Sequence, residues 1–358
     1  MENLKSRQIK LDKQITDSRK EIRSDRMDMS FGEIMNMYDE GEIIISPEFQ
    51  RTFRWNVQTQ TRFIESLLLG IPIPPIFIAE TGNNIWELVD GLQRLSTILS
   101  FFGKLHDTKK NNLVLTKPSI LTELVNFTID TIPLNYKLLL KRAVCRVEVI
   151  RYDSEYDMRY ELFNRLNTGG VELSEQEIRN CIFRPFDNTF NSFLQELSSL
   201  SDFTDSVKIR KDDIEKMYYQ ELVLRYFTIK NHGARFETNI QKHMDDYMLN
   251  VSKGILKIDY SKEKEQFKVI CKIINELDKN VFKLGPTRFS TSMYDAIMIN
   301  MAKHLEFIKK QSKEELLRRI DLLLQDNEFK KNTGSASSSK YRINNKIQIA
   351  EKYFTNLV

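Results

Sequence analysis

The sequence predicts an α+β domain followed by an all-α domain, and three observations carry that prediction. Short strand-like runs recur in the first half, at 43–46, 76–80, 85–89 and 143–151, interleaved with helical spacing. The Asp90-Gly91 pair joins one of these strands to a helix through a tight turn. From residue 186 onward the apolar spacing is helical, over roughly 186–200, 212–229, 240–251, 260–280, 290–309, 312–325 and 341–354. The change places a boundary near 185. It leaves a basic amphipathic N-terminal helix (1–27), an α+β domain (28–185) and an α-helical domain (186–358).

Taken in order, residues 3–24 set Leu4, Leu11, Ile15 and Ile22 on one stripe. That stripe predicts an amphipathic helix that covers the body or pairs with another subunit, making a homo-oligomer one of its uses. Ser30 begins a short helix (Phe31, Ile34, Met35, Tyr38) that stops near Gly41. A helix over 57–69 turns Phe63, Ile64, Leu67 and Leu68 inward and ends at Gly70. Pro72 and Pro74-Pro75 hold the next stretch extended. Strands 76–80 and 85–89, joined at Gly82-Asn83-Asn84, form an antiparallel hairpin, and helix 92–103 follows. A loop-rich insert spans 104–130, and Pro133 sits just inside a short helix. Strand 143–151 offers Arg146, Glu148 and Arg151 to a solvent face or a cleft. Helix 154–166 ends in the turn Asn167-Thr168-Gly169-Gly170, and Ser174 with Glu177 forms a capping box for the next helix. Tyr218, Tyr219, Tyr226 and Phe227 lie at helical spacing and belong to a core.

Composition narrows the class. A chain of 358 residues buries ample core for two domains, and 41% hydrophobic with 29% charged residues is globular usage. There is no apolar run near 18 residues and the start is polar, so neither a membrane span nor a signal peptide is expected and a cytoplasmic location is. Cys145, Cys181 and Cys271 lack zinc or C-x-x-C spacing and are expected to be buried thiols, with no metal site assigned. Net charge is only +4, yet residues 1–27 hold eight Lys/Arg against five Asp/Glu, and 326–358 hold six against three. Basic ends suit contact with nucleic acid; a solvated helix is the commoner meaning of such charge.

The chemistry concentrates in Asp90-Gly91-Leu92-Gln93-Arg94-Leu95-Ser96-Thr97. A helix start presents unpaired N–H groups and about half a positive charge, so it attracts anions. Arg94 can grip a phosphate with two parallel bonds, and Ser96 and Thr97 carry hydroxyl donors. Asp90 beside such a site needs a metal ion between, or a nucleophile to position. The plain alternative is a turn-forming Asp-Gly and a surface ion pair. Upstream, Pro47-Glu48-Phe49-Gln50-Arg51-Thr52-Phe53-Arg54-Trp55 interleaves two arginines with three aromatics, which stack on bases or anchor a loop.

Together, Ile45-Ser46-Pro47-Glu48-Phe49-Gln50-Arg51, Trp55, Ile71-Pro72-Ile73-Pro74-Pro75-Ile76, the 90–97 octapeptide and Phe163-Asn164-Arg165-Leu166-Asn167-Thr168-Gly169-Gly170-Val171-Glu172-Leu173-Ser174 resemble the GmrSD-type N-terminal domain. That family is similar in fold to ParB and sulfiredoxin. The resemblance covers roughly residues 28 to 185. It implies a nucleotide-binding, often NTP-hydrolysing domain of bacterial systems that restrict modified or foreign DNA, with Asp-Gly-x-Gln-Arg as the nucleotide site. Leu92 stands where the family usually has Gln, which weakens nucleotide contacts or packs inward; Ser96 stands where Thr is common.

On this reading a nucleoside triphosphate, with Mg2+, lies at the start of helix 92–103. Gly91, Gln93, Arg94, Ser96 and Thr97 hold its phosphates, and Asp90 orients water or the metal. Gln50 and Arg51 close one side, and Asn167 and Thr168 form a third wall. Full-length members often carry a C-terminal HNH nuclease domain. None of His106, His232, His243 and His304 has that setting, so DNA cleavage would fall to a separate nuclease or defence partner. Two rivals stand: a non-hydrolysing DNA-binding or adaptor module, and, below it, a nuclease in its own right.

Overall fold

A computed structural model describes residues 4–21, 24–45, 53, 55–81, 84–151, 174–183, 188–233, 239–277, 279–283, 289–333 and 338–355. The readings at 46–52, at 82–83 and across 152–173, including helix 154–166, lie outside the described residues. The chain divides into two compact units, Met1–Glu172 and Leu173–Val358.

In the first unit, helix α1 (Leu4–Glu21) precedes strand β1 (Ser24–Ser30), helix α2 (Phe31–Asp39) and the short strand β2 (Ile43–Ile44). Helix α3 (Val57–Leu68), strands β3 (Ile76–Glu80) and β4 (Trp86–Asp90), helix α4 (Leu92–Phe101), helix α5 (Leu134–Arg142) and strand β5 (Val144–Ile150) follow. The five strands form one mixed sheet in the order β1-β5-β3-β4-β2. β3 and β4 are the antiparallel hairpin expected from their turn, with a register shift between Phe77 and Ile78. β5 runs parallel to β3, and β2 parallel to β4. The fold class is α+β, as the sequence predicts.

Alternation in β5 sends Cys145, Val147 and Val149 into the core. The apolar stripe of α4 joins them with Leu95, Ile98, Leu99 and Phe101, all 1% exposed or less. Burying each such Leu or Ile side chain contributes about 1.5–3 kcal/mol. Phe63 of α3 meets Phe31 and Trp55 edge-on, at centroid distances of 6.3 and 5.8 Å. Asn56 caps α3 by accepting from the Thr59 amide, as Ser30 caps α2 through Glu33.

β1 is an element the sequence reading missed. The expected N-terminal helix stops at Glu21 rather than 24, and Ser24–Ser30 pairs antiparallel with β5 over its whole length. Its segment SDRMDMS is polar because it is an edge strand, so its alternation carries little hydrophobic signal. Opposite charges hold it instead: Arg26 pairs with Glu148 at 2.9 Å, Arg146 with Asp28 at 3.0 Å, and Arg151 with Asp25 and Glu80. The solvent-facing residues read from strand 143–151 therefore serve cross-strand pairing. On α1, Leu4, Ile9, Leu11 and Ile15 stay exposed among the described residues.

The second unit is helical among the described residues. Helix α6 (Glu175–Phe183) opens with the expected capping box: the Ser174 amide donates to Glu177 at 2.7 Å, and the Glu177 amide to the Ser174 hydroxyl at 3.2 Å. Next come α7 (Asn188–Ser198), α8 (Ser201–Ser206), α9 (Lys211–Glu215), α10 (Tyr218–His232), α11 (Ile240–Ser252) and α12 (Tyr260–Glu276). They are followed by α13 (Thr291–Lys303), α14 (Leu305–Ile308), α15 (Lys313–Gln325), α16 (Asn327–Lys331) and α17 (Lys340–Glu351).

Two expected helices are each broken in two. Met217, at φ +60°, separates α9 from α10 inside the predicted 212–229, and His304 divides 290–309. Tyr226 and Phe227 are buried as read. The core also holds charge. Arg225 clasps Asp295 through Nε and Nη2 at 2.6 and 2.7 Å, with Lys346 donating to Ser292 beside them. Arg179 bonds Asp245 at 2.6 Å, and burial raises that carboxyl to about 6 against the pull of the guanidinium. Among the described residues no helix is long and apolar enough to cross a membrane.

Candidate functional site

The candidate site forms where β4 passes into α4. Gly91 takes φ +99°, the left-handed region that favours glycine, and occupies the N-cap position of α4. A Cβ there would stand 3.1 Å from Ile76 Cγ1 and 3.3 Å from Arg94 Nη2, so the backbone favours glycine and any side chain would also crowd these two neighbours. This turn brings Asp90 within reach of Arg94, one helical turn later. Arg94 Nη2 donates to Asp90 Oδ2 at 2.9 Å and to the Pro75 carbonyl at 3.0 Å. The Arg94 side chain is 14% exposed and Asp90 43%, so the pair reaches solvent through the carboxylate. Arg94 Nε is buried and has no hydrogen-bond partner among the described residues.

Gln93 faces the aromatic segment. Its Oε1 accepts from the Trp55 amide at 3.0 Å, and the Trp55 carbonyl accepts from Gln60 Nε2 at 2.7 Å. Trp55 is thereby fastened to α4 on one side and α3 on the other. Its ring packs on Phe63, the anchoring use of an aromatic beside arginine. Pro75, Trp55 and Gln60 are partners that the sequence reading did not assign to the site. The extended Pro74-Pro75 stretch signalled the first, since a residue before a strand leaves its carbonyl unpaired by helix bonds.

Ser96 and Thr97 sit differently from the expectation that their hydroxyls face a phosphate. They are 1% and 0% exposed, and the Thr97 hydroxyl donates to the Gln93 carbonyl at 2.6 Å. Helical spacing explains it: Ser96 lies four residues after Leu92 and one after Leu95, both buried on the core face. Leu92, at 7% exposed, packs inward, the second of the two outcomes anticipated for it. Gln50, Arg51, Asn167 and Thr168 lie outside the described residues.

Cys145 is near enough to feel the Arg94 charge. Burial nevertheless pushes its thiol up to about 11, against the Ile76 amide and Arg94, so it is an inert thiol at neutral pH. All three cysteines are buried. Among the described residues, no three His, Cys, Asp or Glu side chains gather into a metal-binding group.

The fold and this turn define an α+β domain with an arginine-bearing helix start at the end of a sheet hairpin. Residues 31–184 match the family described as GmrSD restriction endonuclease, N-terminal domain, and that stretch is similar to such a domain. No curated protein and no solved structure matched the chain.

Proposed function

We propose that this chain is a nucleotide-binding component of a DNA restriction or phage-defence system, and that the 90–94 turn is its phosphate site. Support comes from the family match over 31–184 and from one structural observation, the orphaned Arg94 Nε at the start of α4. A buried donor without an acceptor costs about 1–3 kcal/mol, which an anionic ligand that reached it would recover. The α4 N-terminus adds its unpaired amides and positive dipole end in the same place. Arg94 is thus a clasp that can exchange partners. It rests on Pro75 and Asp90, and a phosphate competes for its guanidinium.

A nucleoside triphosphate supplies a high-energy phosphoanhydride when bound. Arg94 and the amides after Gly91 hold its phosphates, and Asp90, freed from Arg94, orients the attacking water or a magnesium ion. Gln93 contributes by holding Trp55 in place, its Oε1 accepting the Trp55 amide. DNA is the target of the system, contacted through the basic ends, and a separate protein supplies nuclease activity. The self-contained Asp90–Arg94–Pro75 clasp favours one other reading, an adaptor that uses the turn for stability alone.

A nucleotide panel decides between them. Titration calorimetry and phosphate release with ATP, GTP, CTP and UTP, with and without Mg2+ and DNA, should show micromolar binding of at least one. Arg94→Lys should weaken that binding by about tenfold or more, since lysine keeps charge but loses the planar fork. No binding of any nucleotide by the unaltered protein would leave the adaptor.

A further inference from the structure

Away from the 90–94 turn, the first unit carries an open groove of about 800 Å³ between the end of α3, the 69–73 segment and α5. Its lining is more apolar than polar, including Leu69, Ile71, Leu138, Leu139 and Val144, whose exposures run from 37% at Leu138 to 59% at Val144. Several large apolar side chains exposed together mark a binding surface, whereas single ones do not. The charge in the lining has one sign. Arg142 lines the groove, no Asp or Glu does among the described residues, and α5 (LNYKLLLKR) adds Lys137 and Lys141 with no acidic residue. None of these three cations makes an ion pair among the described residues.

We propose that this groove docks an acidic amphipathic helix of another protein. The floor suits apolar anchors at i, i+4 and i+7, and α5, nine residues long, spans about 14 Å, or two to three turns of a bound helix. Carboxylates flanking those anchors meet Arg142 in the lining, and Lys137 and Lys141 on the same helix add to the positive potential that speeds encounter. Helix α1 of a second copy fits less well: it carries six Lys/Arg against three Asp/Glu, so its net charge has the same sign as Arg142 and α5. A small-molecule site would need several convergent polar groups, and among the described lining residues Arg142 is the one charged side chain. The inference is independent of the phosphate site.

The test uses the full chain and two fluorescent twelve-residue peptides with the same leucine anchors, one with glutamate and one with lysine at the intervening positions. Anisotropy should show micromolar binding of the glutamate peptide and at least tenfold weaker binding of the lysine peptide. Leu138→Asp and Arg142→Glu, both at exposed positions, should each weaken the glutamate peptide at least tenfold while circular dichroism and thermal midpoint stay unchanged. Equal affinity for both peptides, or no binding of the glutamate peptide, overturns the proposal. So does a self-associating parent protein that Leu138→Asp turns monomeric, because a second copy is then the occupant.

Discussion

The side-chain oxygen of Gln93 accepts the backbone amide of Trp55 across 38 residues of sequence, at 3.0 Å. One amide side chain therefore fixes the register between the start of α4 and the segment that leads into α3. Gln60 completes the clamp through the Trp55 carbonyl.

Replacing Gln93 by Ala should leave the part-buried Trp55 amide without its acceptor and lower stability by about 1–3 kcal/mol. Gln93→Glu keeps an acceptor oxygen and should recover most of the loss. Urea unfolding of the three proteins gives the answer, and an unchanged midpoint in Gln93→Ala would show the bond to be dispensable.

Asp90 should separate binding from turnover. In Asp90→Asn the side chain still accepts from Arg94 but no longer carries charge, so nucleotide affinity should hold within a few fold or rise, while hydrolysis falls by roughly two orders of magnitude or more. Parallel calorimetry and phosphate-release rates measure the split. Full activity in Asp90→Asn removes the proposed role.

Glu65 predicts an acid-sensitive contribution to stability. Its buried carboxylate accepts the amides of Ser119, Ile120 and Leu121. Burial alone would raise its pKa; the three N–H donors outweigh that and hold it below the ordinary 4.5. A depressed folded-state pKa contributes stability that is complete above the unfolded value and is lost as pH falls through the folded one. Glu65→Gln should therefore be less stable by about 2 kcal/mol or more near pH 7. The gap should shrink as both proteins are taken below pH 4.5. A gap independent of pH would assign the effect to packing.

Removing residues 1–21 spares β1 and deletes six Lys/Arg and four Asp/Glu. If α1 tracks DNA phosphates, the slope of log K against log salt should flatten by about 0.9 for every phosphate that the shortened protein no longer neutralises. Nucleotide binding should be unaffected. Filter binding over a salt series measures it, and an identical slope would relieve α1 of any DNA role.

What the sequence made legible follows from how strongly each element repeats its own pattern. The hairpin, α4 and the Ser174–Glu177 box announced themselves through alternation, the Asp90-Gly91 turn and cap spacing. β1 did not, because an edge strand stabilised by Arg26–Glu148 and Arg146–Asp28 has no need of alternating apolar residues. The break at Met217 was equally hidden, since a left-handed methionine leaves helical spacing intact on both sides. At the candidate site, the residue types in the turn were legible but their orientations were not. Ser96 and Thr97 lie on the core-facing side of α4, and the clasp on Arg94 depends on the Pro75 carbonyl, which no side-chain pattern encodes.

The pairing of β1 with β5 also governs when this domain can assemble on the ribosome. Arg26 and Glu148 are 122 residues apart. At about 5–20 residues per second, β1 waits roughly 6–25 seconds for its partner to be synthesised. β3 in turn lacks its parallel neighbour until the same strand emerges. A nascent chain therefore carries β1 as an open edge throughout that interval, and its alternating charges Asp25, Arg26 and Asp28 discourage pairing with other chains while it waits.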